Sequence, residues 1–147
     1  MIPIEGKMPP RHHSMIVPAS VSGVRQVESE LAAFAKSNGL PTGAIWRVQV
    51  ALDEVLSNVV RHGSAAGTVG SIGVDLDLDG PRMEIVVTDD APAFNPLEAP
   101  APDTSVRLEE RPLGGLGIPL IRALVDEVRY ERRDGRNRLT LWKTLAD

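Results

Sequence analysis

The 147-residue chain is predicted to be an α+β protein, a two-layer sandwich with helices on one face of a mainly antiparallel sheet. Three observations predict it. Apolar residues recur at three- and four-residue spacings between Val24 and Val60, then alternate strictly from Ile72 to Leu78. Asp134-Gly135 between two β-like runs is a hairpin signal. With 42% apolar and 24% charged residues, the composition matches soluble globular proteins, and a chain of this length buries enough surface for its own core.

The elements follow in order. Residues 1–13, with three prolines and no periodicity, read as a loose leader, and 14–147 as a single domain. Met15, Ile16 and Val17 suit a short strand stopped by Pro18. Ser20 or Ser22 caps a helix whose stripe is Val24, Val27, Leu31 and Phe34, ended by Asn38-Gly39. Thr42 is the expected cap of a second helix and Gly63 its C′ residue, with Ile45, Val48, Leu52, Val55 and Val59 on one face. A half-solvated strand from Ile72 to Leu78 turns at Gly80-Pro81 into a more buried strand, Met83 to Thr88, ending at Asp89-Asp90. Residues 91–113 hold five prolines and no period, so they read as a long loop. Gly114-Gly115-Leu116-Gly117 opens a third helix, and strands near 128–133 and 138–145 close the chain. The resulting order is β-α-α-β-β-loop-α-β-β.

Composition also excludes functions. A net charge of −4 offers no positive field for nucleic acid or an anionic membrane. Five aromatic residues make no stacking platform for single strands. The absence of cysteine rules out disulfides, thiolate metal sites and a cysteine nucleophile. No apolar run approaches the roughly 18 residues of a membrane span, and the N-terminus lacks a signal-peptide core, so a cytoplasmic location is expected.

Three clusters stand out. Glu54, Asn58 and His62 lie four apart on the second helix, with Arg61 beside them. They form either a solvated polar stripe or a site in which Asn58 offers an oxygen to Mg²⁺ and Glu54 acts as a base near phosphates. Asp89, in Thr88-Asp89-Asp90-Ala91-Pro92-Ala93-Phe94-Asn95-Pro96, is either a turn former or an acceptor for the exocyclic amine of adenine. Gly114, Gly115 and Gly117 are either a hinge or a phosphate cradle, since the first helical amides lack intrahelical partners.

Taken together, their order and spacing resemble the nucleotide site of the GHKL (Bergerat-fold) ATPases. More closely, the chain resembles the anti-sigma-factor serine-protein kinases, or switch-protein kinases, of bacterial partner-switching systems. The resemblance runs over roughly residues 14–145 and is carried by ALDEVLSNVVRHG, DDAPAFNP and GGLGIPLIRALVDEVRYERRDGRNRLTL. It implies a Bergerat-type sandwich, Mg·ATP as phosphoryl donor, Asn58 as the Mg²⁺ ligand and Glu54 as catalytic base toward a serine hydroxyl. It further implies that Asp89 reads adenine, that Gly114, Gly115, Leu116 and Gly117 pack against the phosphates, and that Arg61 and His62 flank them. Residues 95–113 would be the ATP lid, where Arg111 reaches the γ-phosphate or is only a solvated loop charge, and Asn137 would lie near adenine.

The pattern departs from the family at Ala91 and Ala93, where glycines are usual. Alanine at φ > 0 costs about 1–2 kcal/mol, and Pro92 pushes Ala91 toward extended geometry. The loop after Asp89 is therefore expected to be reshaped. Implied partners are a STAS-domain anti-sigma-factor antagonist as substrate, a sigma factor or other regulator to be sequestered, and a second copy of the chain. The alternative is a nucleotide-dependent binding module with little kinase activity. Histidine-kinase chemistry is not expected, because His12 and His13 sit in the Pro-rich leader. The larger ATPases of the superfamily carry domains for which 147 residues leave no room. Arg129, Arg132, Arg133, Arg136 and Arg138 read as one charged face of the last hairpin, either solvated or set against an acidic partner.

Overall fold

The structure is a computed structural model and describes residues 10–65, 70–98 and 117–145. Its elements are β1 (His12–Pro18), α1 (Val21–Ser37), α2 (Thr42–Ala65), β2 (Ser71–Asp79), β3 (Arg82–Asp89), a 3-10 turn at Pro96–Glu98, α3 (Gly117–Leu124), β4 (Glu127–Arg133) and β5 (Arg136–Thr144). The five strands form one sheet in the order β1-β2-β3-β5-β4, and every pairing is antiparallel.

Local chemistry explains most boundaries. Ser20 caps α1 by accepting from the Gly23 amide at 3.3 Å. At the other end Gly39 takes φ +60°, so the Leu40 amide reaches Ala35 O at 3.0 Å and the Gly39 amide reaches Lys36 O at 3.2 Å. Asp134 (φ 53°) and Gly135 (φ 74°) are both left-handed, as a two-residue type I′ hairpin between β4 and β5 requires.

Three boundaries differ from expectation. The first strand begins at His12, inside the stretch read as leader. Pairing of His12 with Asp77 and of His13 with Leu76 extends the ladder with β2, while His12 Nδ1 lies 2.6 Å from Asp77 and His13 Nε2 lies 2.7 Å from Glu30 of α1. The second helix runs through Gly63 to Ala65, because a buried glycine continues a helix at a cost of only about 1 kcal/mol. The third helix begins at Gly117; Gly114, Gly115 and Leu116 lie outside the described residues.

The core lies between the helices and one sheet face. Val27, Leu31 and Phe34 of α1 and Val48, Leu52, Val55 and Leu56 of α2 pack on Ile72, Val74, Leu76, Ile85, Val87 and Leu141. Alternation along each strand leaves Asp75, Asp77, Glu84, Arg129 and Arg138 on the opposite face. The closest backbone approach is at Gly23, where an added Cβ would sit 1.8 Å from the Pro18 carbonyl oxygen.

Gly23→Ala is therefore expected to destabilise the protein by about 2–3 kcal/mol. Gly43→Ala, with nothing within 4 Å of its Cβ position, is expected to be neutral or stabilising by up to about 1 kcal/mol. Urea unfolding of the two variants, read as midpoint shifts at constant slope, checks both.

Candidate nucleotide site

A pocket opens where α2, α3 and the ends of β3 and β5 meet. Asn58 and His62 line it from α2, Asp89 from β3, Ala91, Pro92 and Phe94 from the following loop, Ile118 and Ile121 from α3, and Tyr130 and Asn137 from the last hairpin. Its wall is apolar, with a few polar groups converging on it, which is the usual make-up of a small-molecule site.

The α2 residues reach this position through the burial of their helix. With Val55 and Leu56 in the core, the row containing Glu54 and Asn58 faces the start of α3. A Cβ on Gly117 would lie 3.0 Å from Glu54 Oε2 and 3.8 Å from Asn58 Nδ2, so the two sequence clusters are in contact. Asn58 is 7% exposed, and its Oδ1 accepts a hydrogen bond from the Arg61 guanidinium. His62 was expected beside the phosphates. Its ring lines the pocket and lies against Phe94, with centroids 3.8 Å apart and planes inclined by 31°. Burial, with the Arg61 charge beside it, holds the His62 imidazole below its ordinary range.

At the other end of the pocket Asp89 is 9% exposed, and its Oδ1 accepts from the Ala91 amide at 3.0 Å and from Asn137 Nδ2 at 3.0 Å. Asp134 is the only non-glycine with positive φ among the described residues, so neither Ala91 nor Ala93 adopts the left-handed conformation. Side chains hold the loop in this conformation. Asn137 Nδ2 donates to Ala91 O at 3.3 Å and Pro92 O at 3.1 Å, while its Oδ1 accepts from the Phe94 amide at 3.2 Å. Arg132 donates to Ala91 O at 2.8 Å.

Asn58, His62, Asp89, Ala91 and Asn137 thus converge on one pocket; Glu54 and Gly117 meet at its edge, and Ala93 is exposed on its loop. Arg111, Gly114, Gly115, Leu116 and the part of the expected lid beyond Glu98 lie outside the described residues. Sequence reasoning missed Phe94, Tyr130 and Arg132. The last two were recoverable from the hairpin, because the Asp134-Gly135 turn fixes Arg132 opposite Asn137 and Tyr130 opposite Leu139.

For a divalent cation, the chain offers the Asn58 oxygen beside the Glu54 carboxylate. No group of three or more potential ligands occurs among the described residues. That set fits a cation carried mainly by phosphate oxygens and water rather than a dedicated protein cage.

Comparison with known proteins assigns the chain to a family. The histidine kinase-like ATPase domain family matches residues 17–143. The serine/threonine-protein kinase BtrW of Bordetella bronchiseptica is 33% identical over 89 residues, 60% of this chain and 63% of that protein. The serine-protein kinase RsbW of Halalkalibacterium halodurans is 33% identical over 131 residues, 86% of this chain and 79% of its own. Among solved structures, the RsbU and RsbW domains of a Mycobacterium tuberculosis protein superpose with a TM-score of 0.69 at 22% identity, covering 95% of this chain and 34% of that one. The SiaB–SiaC complex from Pseudomonas aeruginosa gives 0.58 at 14% identity, covering 90% of each chain. At those identities the two structures speak for the fold alone. The chain belongs to the histidine kinase-like ATPase family, in its branch of RsbW-type serine-protein kinases. Among the described residues, no helix is long and apolar enough to cross a membrane.

One titration follows from the α2 environment. Burial, together with the like charges of Glu28 and Glu54, pushes half-buried Asp53 from 3.8 up to about 6. Its folded pKa lies above its unfolded one, so folding takes up a proton between these values and stability falls as pH rises through that window. A shift of this size corresponds to about 3 kcal/mol undiscounted, reduced to about 1 kcal/mol for a solvent-screened carboxylate. Asp53→Asn is expected to gain about that much near pH 7.5 and almost nothing near pH 3.5. Urea unfolding at the two pH values measures the difference.

Proposed function

We propose that this chain is a cytoplasmic protein-serine kinase that transfers the γ-phosphoryl group of Mg·ATP to a STAS-domain antagonist, and that it sequesters a sigma factor or comparable regulator as a homodimer. The observation that carries the catalytic part is the contact of Glu54 and Asn58 with the start of α3 at one end of a pocket whose other end is Asp89. The partner assignment draws on the likeness to the RsbW serine-protein kinases.

In this reading Asp89 accepts from the 6-amino group of adenine, and the apolar walls at Val55, Ile121 and Leu139 cover the base. The first amides of α3 face the phosphates, as unpaired helix-start donors do. Asn58 would hold Mg²⁺ through Oδ1, the atom that now accepts from Arg61, whose guanidinium would then be free for phosphate. When bound, the cation would neutralise charge developing on the phosphates. Glu54 accepts the proton of the substrate serine as the serine oxygen bonds to the γ-phosphorus and the bond to ADP breaks. The nucleotide-dependent binding module remains the second reading. The Arg61–Asn58 hydrogen bond favours it, since a cation must compete with Arg61 for that oxygen.

Glu54→Gln tests the proposal, because it keeps shape and hydrogen bonding but removes the base. Phosphate transfer from Mg·ATP to a cognate STAS protein is expected to fall by about 100-fold or more, with ATP affinity changed less than threefold. Equal transfer by both proteins overturns the assignment of Glu54. ATP binding with no transfer by the wild type to any cognate STAS protein selects the binding module.

A further inference from the structure

We propose that Asn137 is the residue that sets base specificity, acting as a positioning residue that fixes the Asp89 carboxylate rather than as a group that touches the base. The inference rests on the reading of this pocket as an ATP site and names what makes it selective for adenine.

Asn137 is 7% exposed, and both ends of its carboxamide are committed inside the protein. Its Nδ2 donates to Asp89 Oδ1, Ala91 O and Pro92 O, at 3.0, 3.3 and 3.1 Å. Its Oδ1 accepts from the Phe94 amide at 3.2 Å, Tyr130 Oη at 2.5 Å and Arg132 at 3.2 Å. Those three donors determine which end of the carboxamide points where: an oxygen must face them, so a nitrogen faces Asp89. A ligand atom has no free partner left on this side chain.

The consequence falls on Asp89. Both of its hydrogen bonds, from the Ala91 amide and from Asn137, go to Oδ1. Among the described residues Oδ2 has no partner, while Asp89 lines the pocket. One oxygen is anchored and the other is presented. A carboxylate fixed in this way is complementary to a 6-amino group and opposed to a 6-oxo group in the same place. A carboxylate free to turn accepts instead from the N1–H of a 6-oxopurine and loses the distinction. Selectivity of this kind depends on holding a buried polar group in one orientation.

The same side chain spans the two positions where alanine replaces the customary glycine. It binds the loop at Ala91, Pro92 and Phe94, so the loop's shape and the aim of Asp89 are set by one group reaching across from β5. Arg132 supports it from β4 through Ala91 O at 2.8 Å.

The test compares dissociation constants for Mg·ATP and Mg·ITP, which differ at the purine 6-position, by calorimetry on the full chain. Asn137→Ala is expected to narrow the ATP-to-ITP preference by about tenfold, chiefly by weakening ATP. Asp89→Asn is expected to abolish the preference, and adding Asn137→Ala to it to change nothing more. The ratio is measured within one folded sample, so it separates positioning from a general loss of stability. If Asn137→Ala does not fold, Asn137→Leu, of similar shape but with no donor for Asp89, serves with the same expectation. An unchanged ratio in the variant, beside ATP binding by the wild type, overturns the role of Asn137 and leaves the nucleotide site standing. A wild type that binds neither nucleotide overturns both.

Discussion

Everything at the site depends on how α2 is buried. Val48, Leu52, Val55 and Leu56 are at most 3% exposed, and each such burial contributes about 1.5–3 kcal/mol. That seam fixes the rotation of the helix about its own axis. Glu54 and Asn58 then have one place to go, the flank that meets the start of α3. The carboxylate and carboxamide are therefore held by packing rather than by their own weak contacts, which is how a site keeps its geometry on a rigid element. Gly117 completes the approach, because any side chain there crowds Glu54 Oε2 at 3.0 Å.

The second support is polar. Where related proteins are expected to have glycine, this chain has Ala91 and Ala93, and the loop is held by hydrogen bonds from a buried amide. A network of this kind specifies one arrangement when every member is satisfied. No fully buried side-chain nitrogen or oxygen among the described residues is without a hydrogen-bond partner. The loop end is tied further by the His62–Phe94 ring contact and by Asn95 Oδ1, which accepts from the Leu97 amide at 2.9 Å. The base end and the catalytic end of the pocket are thus held by different forces, one by polar satisfaction and one by apolar burial.

The element order and the strand alternation were legible in the sequence because they follow from periodicity, which is local. The α2 row at Glu54, Asn58 and His62 was legible for the same reason. What local patterns could not show was contact between distant segments. Phe94 meets His62 only because of the path taken by the loop, and no spacing rule encodes that path. The five arginines of the last hairpin look alike in sequence, yet strand alternation turns Arg132 inward to Ala91 O while Arg129, Arg133, Arg136 and Arg138 face the other side. The end of α2 was misplaced at Gly63 because a glycine signals a stop only when the chain leaves the helix there.

The central claim is that one pocket bounded by α2, α3 and the Asp89 loop holds Mg·ATP. Backbone amide chemical shifts recorded while Mg·ATP is added test it most directly. Saturable shifts are expected at residues 58–62, 89–94 and 117–121, with residues on the opposite sheet face such as Asp77 and Arg129 unmoved. Shifts confined to that opposite face, or none at millimolar nucleotide, would contradict it.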